Sequence, residues 1–299
     1  MPATTPLPVP CTRDQAVAAL GERGLRTALN SGWLTRIWRN LFVPVNRAHD
    51  PRTRARAALL LAGPEAALSG PTAAEVYGWT PLASSDVHIT VPYSRWAKNR
   101  PGLVVHHDRF TPEDVVVLDD LRVLAPEYVL AELLCGRAHR AGFACTDQAF
   151  RSLPPELQEQ LRQEMDTRLR ARDDHRGVGR ALVLLDLATG LPESPAESSM
   201  LLTLVLDGRF PIPELQHEIL DLDGRVVCRL DFAWPRHRVA LEYDGFEAHE
   251  NRAEQDAERD ERMAGRGWLT VRAGARDLRS PEALFGRLRA AFESRERPT

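Results

Sequence analysis

Asp231, Glu242 and Asp244 stand close together in a short stretch, and their spacing allows metal-assisted chemistry. The stretch reads Arg-Leu-Asp-Phe-Ala-Trp-Pro-Arg-His-Arg-Val-Ala-Leu-Glu-Tyr-Asp-Gly-Phe-Glu-Ala-His over 229–249. Two apolar runs, Val226–Trp234 and Arg238–Tyr243, flank a Pro-Arg-His turn and predict a β-hairpin. Asp231 then lies on the first strand. Glu242 and Asp244 lie on the second, two residues apart and therefore on one face. Carboxylates on adjacent strands repel one another unless a cation sits between them. Oxygen-only ligands suit Mg²⁺ or Mn²⁺ better than zinc. The same pattern is compatible with a solvated edge hairpin whose acids have no joint task.

The elements that must position these acids are legible on both sides. Upstream, Ser194-Pro-Ala-Glu197 opens an amphipathic helix with the spacing of a capping box. Downstream, 251–266 reads as a charged helix containing Asp256, Arg259, Asp260 and Arg262, followed by a strand over 267–272 and a last helix over 281–292. This order describes a small α/β sandwich.

Residues 193–292 resemble the Vsr-like domain of unknown function, a branch of the PD-(D/E)XK restriction-endonuclease-like superfamily. The resemblance is carried by Ser-Pro-x-Glu-Ser (194–198), Arg-x-Asp-Phe-x-x-Pro (229–235), Glu-Tyr-Asp-Gly-x-x-x-His (242–249), the acidic-basic run 256–262 and Gly-Trp-x-x-x-Arg (267–272). It implies phosphodiester hydrolysis in DNA. Asp231 and Glu242 would hold Mg²⁺ or Mn²⁺, with the Tyr243 backbone carbonyl as a third ligand and Glu197 reaching in from the helix. His249 would act as general base or acid. Where the superfamily usually carries lysine this chain has Asp244, and its one lysine, Lys98, is far away in sequence. The positive element is then His249, Arg259 or Arg272, or the site is inactive; arginine clamps phosphate but is a poor proton acceptor. Each residue also has a structural reading: Glu197 as a helix cap, His249 as a surface histidine, and Asp256, Arg259 and Asp260 as helix-surface ion pairs.

The N-terminal part carries a different signal. Thr12-Arg-Asp-Gln15 is another capping box, a glycine break follows, and Gly24–Asn30 reads as a second short helix. Two short strands around Asn40 complete a winged helix-turn-helix. Residues 1–60 hold nine arginines and three acids, whereas the whole chain has a net charge of −3. That local excess fits phosphate contacts. Arg23 and Arg26 would lie on the recognition helix, and Arg36 and Arg39 on the wing. An arginine-rich surface without a nucleic-acid partner is the alternative. Residues 12–135 resemble the AbiEi-type antitoxins of type IV toxin–antitoxin systems through Ser-x-x-Thr-Ala-Ala-x-x-x-Gly (69–78), although Gly70 stands where histidine is common. That likeness implies operon autoregulation and a cognate nucleotidyltransferase-like toxin as partner.

The resulting expectation is an α/β multidomain chain. A winged helix-turn-helix spans 12–47, an AbiEi-like α/β domain 51–150, a helical connector 151–190, and an endonuclease-like α/β sandwich 191–295. Adjacent strand residues His106 and His107 face opposite ways and read as structural. Cys11, Cys135, Cys145 and Cys228 lack Cys-x-x-Cys spacing and read as reduced thiols. No apolar stretch reaches membrane-span length, and the first ten residues have no signal-peptide pattern, so a cytoplasmic location without membrane contact is expected. Abundant alanine and arginine with almost no lysine fits a GC-rich bacterial genome. Two functions follow: a Mg²⁺-dependent DNA endonuclease in a defence or mobile-element setting, or a non-enzymatic DNA-binding antitoxin and transcriptional autoregulator.

Overall fold

The computed structural model describes residues 7–80, 84–221, 223–244 and 263–296. The charged run 251–262, with Arg259, and also His249, lie outside the described residues. The chain is mixed α/β with three sheets, and it divides into two compact units, Met1–Glu132 and Leu133–Thr299.

In the first unit, Thr12 caps the helical run α1 (Arg13–Asn30) through the expected box with Gln15. The run is broken at Gly21, whose φ of 71° takes it out of the helix. Strands β2 (Leu34–Trp38) and β3 (Leu41–Pro44) follow, and β3 also pairs with β1 (Cys11–Thr12). Asn40 turns the β2–β3 hairpin with φ 61°, a conformation asparagine tolerates. Cys11, Ala16, Leu25, Ala28, Leu34 and Phe42 form the core of this layer.

Helix α2 (Pro51–Ala62) starts at Asp50, which accepts a hydrogen bond from the Thr53 amide at 2.9 Å. Its buried face is mostly alanine, so it packs closely on its neighbours. A five-stranded sheet follows in the order β6-β5-β4-β8-β7, with β4 at Ala67–Leu68, β5 at Val87–Pro92, β6 at Leu103–Asp108, β7 at Val115–Leu118 and β8 at Leu121–Leu124. Helix α3 (Gly70–Val76) lies between β4 and β5 in sequence, and strand β7 was not anticipated. Asp119 and Asp120 both take positive φ, which makes the tight turn that returns β7 to β8.

The second unit begins within helix α4 (Pro126–Cys135). Helix α5 (His139–Arg151), which the sequence assigned to the middle domain, packs against α7 (Val178–Leu187) and α8 (Pro195–Leu202). Burial of Phe143 and Phe150 explains that allegiance. Helix α6 (Pro155–Arg170) lies along α7. The third sheet has the order β12-β11-β10-β9: β9 is Glu214–Leu220, β10 Val226–Trp234, β11 Val239–Asp244 and β12 Leu269–Gly274. Strands β9, β10 and β11 run antiparallel, and β12 joins β11 in parallel. Helices at Ala275–Arg279 and Glu282–Glu296 close the unit. Among the described residues no helix is long and apolar enough to cross a membrane. All four cysteines are free thiols, and burial pushes that of Cys145 up to about 12, which makes it inert at neutral pH.

His106 is not isolated: its Nε2 lies 3.1 Å from Nδ1 of His88 on the neighbouring strand β5, so the pair shares one proton. Burial, and then repulsion from a neighbouring histidine, lowers both pKa values. A histidine whose folded pKa is depressed contributes stability above its unfolded value, about 6.5, and loses it as pH falls towards the folded value. Thermal melts from pH 7.5 to pH 5 should therefore show a fall in the stability of wild type that His106→Gln flattens. Parallel profiles for the two proteins would contradict this role.

Candidate acidic site in the second unit

The β10–β11 ladder pairs Trp234 with Val239, Ala233 with Ala240 and Phe232 with Leu241. The next pair in that register is Asp231 and Glu242. Here Oδ2 of Asp231 accepts the backbone N–H of Tyr243 at 2.8 Å, where an undisturbed ladder would present a carbonyl. The N–H and C=O of one strand residue point to the same edge, so the Tyr243 carbonyl also faces Asp231's strand. A carboxylate and a backbone carbonyl thus meet at the seam between two strands. Glu242 and Asp244 share the opposite face from the Tyr243 side chain. Glu242 is only 6% exposed, a burial that a carboxylate tolerates only with compensating partners.

Glu197 reaches the seam from α8. Ser194 Oγ accepts the Glu197 amide at 3.2 Å and donates to Oε1 of Glu197 at 2.8 Å. Oε2 of Glu197 accepts the Glu193 amide at 2.7 Å and Nε2 of Gln216 at 3.0 Å. The capping reading of Glu197 therefore holds, and the cap places its charge beside Asp231. Burial first, with repulsion from Asp231 and Glu193 adding to it, raises the Glu197 pKa against these hydrogen bonds. Burial and the charges of Asp277 and Glu197 likewise raise the Tyr243 phenol.

The approach to α8 is set from α5. Asp147, 1% exposed, accepts the amides of Thr189 at 3.0 Å and Gly190 at 2.9 Å. Gly190 has φ 73°, and a Cβ there would come within 2.8 Å of the Arg151 amide nitrogen, so only glycine fits. Arg151 and Arg229 both donate to Glu193, which fixes the loop just before the cap.

Gln216 is a site residue that sequence reasoning missed. It takes φ 51° in the middle of β9, and the pairing of β9 with β10 skips it, running from His217–Leu230 to Leu215–Phe232. A non-glycine residue held in this region marks a position over-determined by its surroundings. Its side chain is held by Glu197, directly across from Asp231.

The remaining expected residues fall in three groups. Asp244 lies at the end of β11, and its Oδ2 is 3.5 Å from Nη1 of Arg272 on β12. Arg23, Arg26, Arg36 and Arg39 are all exposed in the first unit; Arg36 also lies 5.8 Å from the centroid of the Phe42 ring. His249 and Arg259 lie outside the described residues. Among the described residues, no group of three His, Cys, Asp or Glu side chains could hold a metal ion. A hard cation at the seam would thus rely on one or two carboxylates, the Tyr243 carbonyl and water, a donor set that suits Mg²⁺.

No family model matches the chain. Over 272 residues it is 30% identical to the uncharacterized protein MT2308 of Mycobacterium tuberculosis (strain CDC 1551 / Oshkosh), covering 88% of this chain and 94% of that protein. The figures are the same for the uncharacterized protein Rv2248 of strain ATCC 25618 / H37Rv. The chain belongs to this family. The aligned length exceeds either compact unit, so the MT2308 and Rv2248 proteins match both. The crystal structure of the RV2827C protein from Mycobacterium tuberculosis is similar at a TM-score of 0.45 and 17% identity, over 72% of this chain and 84% of that one.

The raised pKa of Glu197 has a consequence for stability. An acid with a folded pKa above its unfolded value, about 4.3 for glutamate, loses stabilising power as pH rises through that interval. Denaturant titrations from pH 4 to pH 7 should show wild type losing stability relative to Glu197→Gln as pH rises. A constant difference across that range would show that Glu197 carries no extra electrostatic load.

Proposed function

We propose that the protein is a Mg²⁺- or Mn²⁺-dependent DNA endonuclease, with a restriction-endonuclease-like second unit and a winged helix-turn-helix in the first. The observation that carries this reading is the Asp231 carboxylate bound to the Tyr243 amide at the β10–β11 seam, with Glu197 near enough to be repelled by its charge. Asp231 and Glu242 are the residues to hold the ion. When bound, such an ion polarises a phosphate and lowers the pKa of water.

The chain's own residues supply the rest. Gln216 and the Ser194 cap fix Glu197, and Glu197 sustains the negative potential that attracts a cation. Arg272, opposite Glu242 on β12 and paired with Asp244, would act as a phosphate clamp; Arg259 is a second candidate for that role. His249 is the candidate proton-transfer group. Arg23 and Arg26 on the second half of α1, with Arg36 and Arg39 on the β2–β3 hairpin, would hold DNA phosphates and deliver the duplex. The net charge of residues 191–299 is −5, so DNA affinity rests on the first unit. On this reading the protein works in the bacterial cytoplasm, in a defence or mobile-element setting.

One observation favours a second reading. The position where catalysis by this fold usually draws on lysine is Asp244, and its ion pair engages Arg272 on the adjacent strand β12. On that reading the protein is a DNA-binding antitoxin and autoregulator, with a nucleotidyltransferase-like toxin as partner.

Nicking of supercoiled plasmid with Mg²⁺ or Mn²⁺ separates the two. Asp231→Ala and Glu242→Ala should each abolish nicking while DNA binding persists; unchanged cleavage in both variants would contradict the nuclease assignment. Arg26→Ala and Arg36→Ala should each weaken duplex binding and reduce the salt slope by about 1. Full duplex affinity in the double variant would remove the first unit from DNA delivery.

A further inference from the structure

The loop Tyr93–Arg100, between β5 and β6, reads Tyr-Ser-Arg-Trp-Ala-Lys-Asn-Arg, with three cations, two aromatic rings and no acid. Although irregular, it is firmly built. The Arg95 amide donates to the Pro92 carbonyl at 2.9 Å, and Arg100 and Leu103 exchange two backbone hydrogen bonds of 2.9 Å around Pro101-Gly102. Gly102 takes φ 77°, the left-handed position such a turn requires. The loop is also tied to its surroundings. Nε1 of Trp38 donates to the Pro101 carbonyl, Arg54 donates to that of Gly102, and Nε of Arg95 donates to that of Ala62, each at 3.1 Å.

This loop and the β2–β3 turn border a cavity of about 660 Å³. Arg39, Arg95, Lys98 and Arg100 line it, and no carboxylate does among the described residues. Among the described residues, Arg95 is the one of these four paired with an acid, Glu65 at 3.9 Å. Trp96 is 80% exposed, an unusual position for the largest apolar side chain. Lys98, the chain's one lysine, holds its ammonium 4.6 Å from the indole centroid. Cations gathered around a cavity whose described lining holds no carboxylate call for a multiply charged anion. An indole presented to solvent beside them calls for a planar partner. Nucleic acid with an unstacked base supplies both, because base–aromatic stacking needs a base free of its own stack.

We infer that the cavity between the 93–100 loop and the β2–β3 turn is a binding site for single-stranded nucleic acid, with phosphates on Arg39, Lys98 and Arg100 and a base on Trp96. The inference is independent of catalysis in the second unit. It touches the proposed duplex contacts only through Arg39. Arg95, held by Ala62 and Glu65, is a wall of the site.

The test is fluorescence anisotropy of the full chain with labelled dT12 and with a 12-base-pair duplex, over a range of salt. Trp96→Ala should weaken dT12 binding about 10-fold, in line with the loss of one stacked base, and leave duplex binding within about 2-fold. The Lys98→Ala/Arg100→Ala variant should lower the salt slope for dT12 by about 1.4, as expected for two single-strand phosphate contacts. Because the chain has one lysine, acylation followed by mass spectrometry of the peptide containing Lys98 gives a direct footprint on wild type. Saturating dT12 should slow it. No dT12 binding, equal dT12 affinity in wild type and Trp96→Ala, equal losses for dT12 and duplex, or no protection of Lys98 would each overturn the site. Duplex binding by wild type, measured alongside, reports separately on the proposed DNA delivery. Melting curves of the variants exclude unfolding as the cause of a loss.

Discussion

The organisation of the second unit turns on one substitution of chemistry within a ladder, a carboxylate oxygen of Asp231 in the place of a backbone carbonyl. The Tyr243 amide must find an acceptor once the β10–β11 pairing ends, because an unpaired buried N–H costs as much as a lost hydrogen bond. Asp231 fills that need. It thereby anchors a negative charge between two strands and turns the Tyr243 carbonyl towards the same point. Every other feature of the site answers to that charge. Glu197 is held beside it by the helix cap, Gln216 gives up regular strand geometry to hold Glu197, and Asp147 sets the entry to the cap from another helix. Cation binding would relieve the repulsion these contacts accumulate.

The first unit solves a different electrostatic problem. Its positive charge is spread on exposed arginines of α1 and the β2–β3 hairpin, then continues into the pinned loop 93–100. On the proposed function, DNA phosphates would satisfy that distribution, while residues 191–299 carry a net charge of −5. The MT2308 and Rv2248 proteins match the sequence of this chain across both units. Helix α5, with Phe143 and Phe150 fully buried, packs on α7 and α8 despite its closeness in sequence to the first unit.

Legibility followed the range of the interactions. The β10–β11 hairpin and the start of α8 could be read directly, because alternation, turn residues and the Ser194–Glu197 cap act over a few positions. Strand β9 could not, since the left-handed Gln216 breaks its two-residue period and Glu-Leu-Gln-His-Glu shows no clean alternation. The acids at the seam were recognisable as residue types, whereas the Asp231–Tyr243 contact depends on where the ladder ends. The His88–His106 pair was hidden for a related reason: it exists only because β5 and β6 lie side by side. Arg39 and Lys98 are nearly sixty residues apart in sequence, so their shared cavity is likewise a product of the fold.

The most direct test of the acidic seam is isothermal titration calorimetry of Mn²⁺ and Mg²⁺ into wild type and Asp231→Ala, with and without DNA. Saturable binding to wild type that disappears in Asp231→Ala is the predicted result. Absence of binding to wild type in both conditions, or equal binding to the variant, would contradict a metal-dependent role for the seam and leave the protein's function with its arginine-rich residues 1–60.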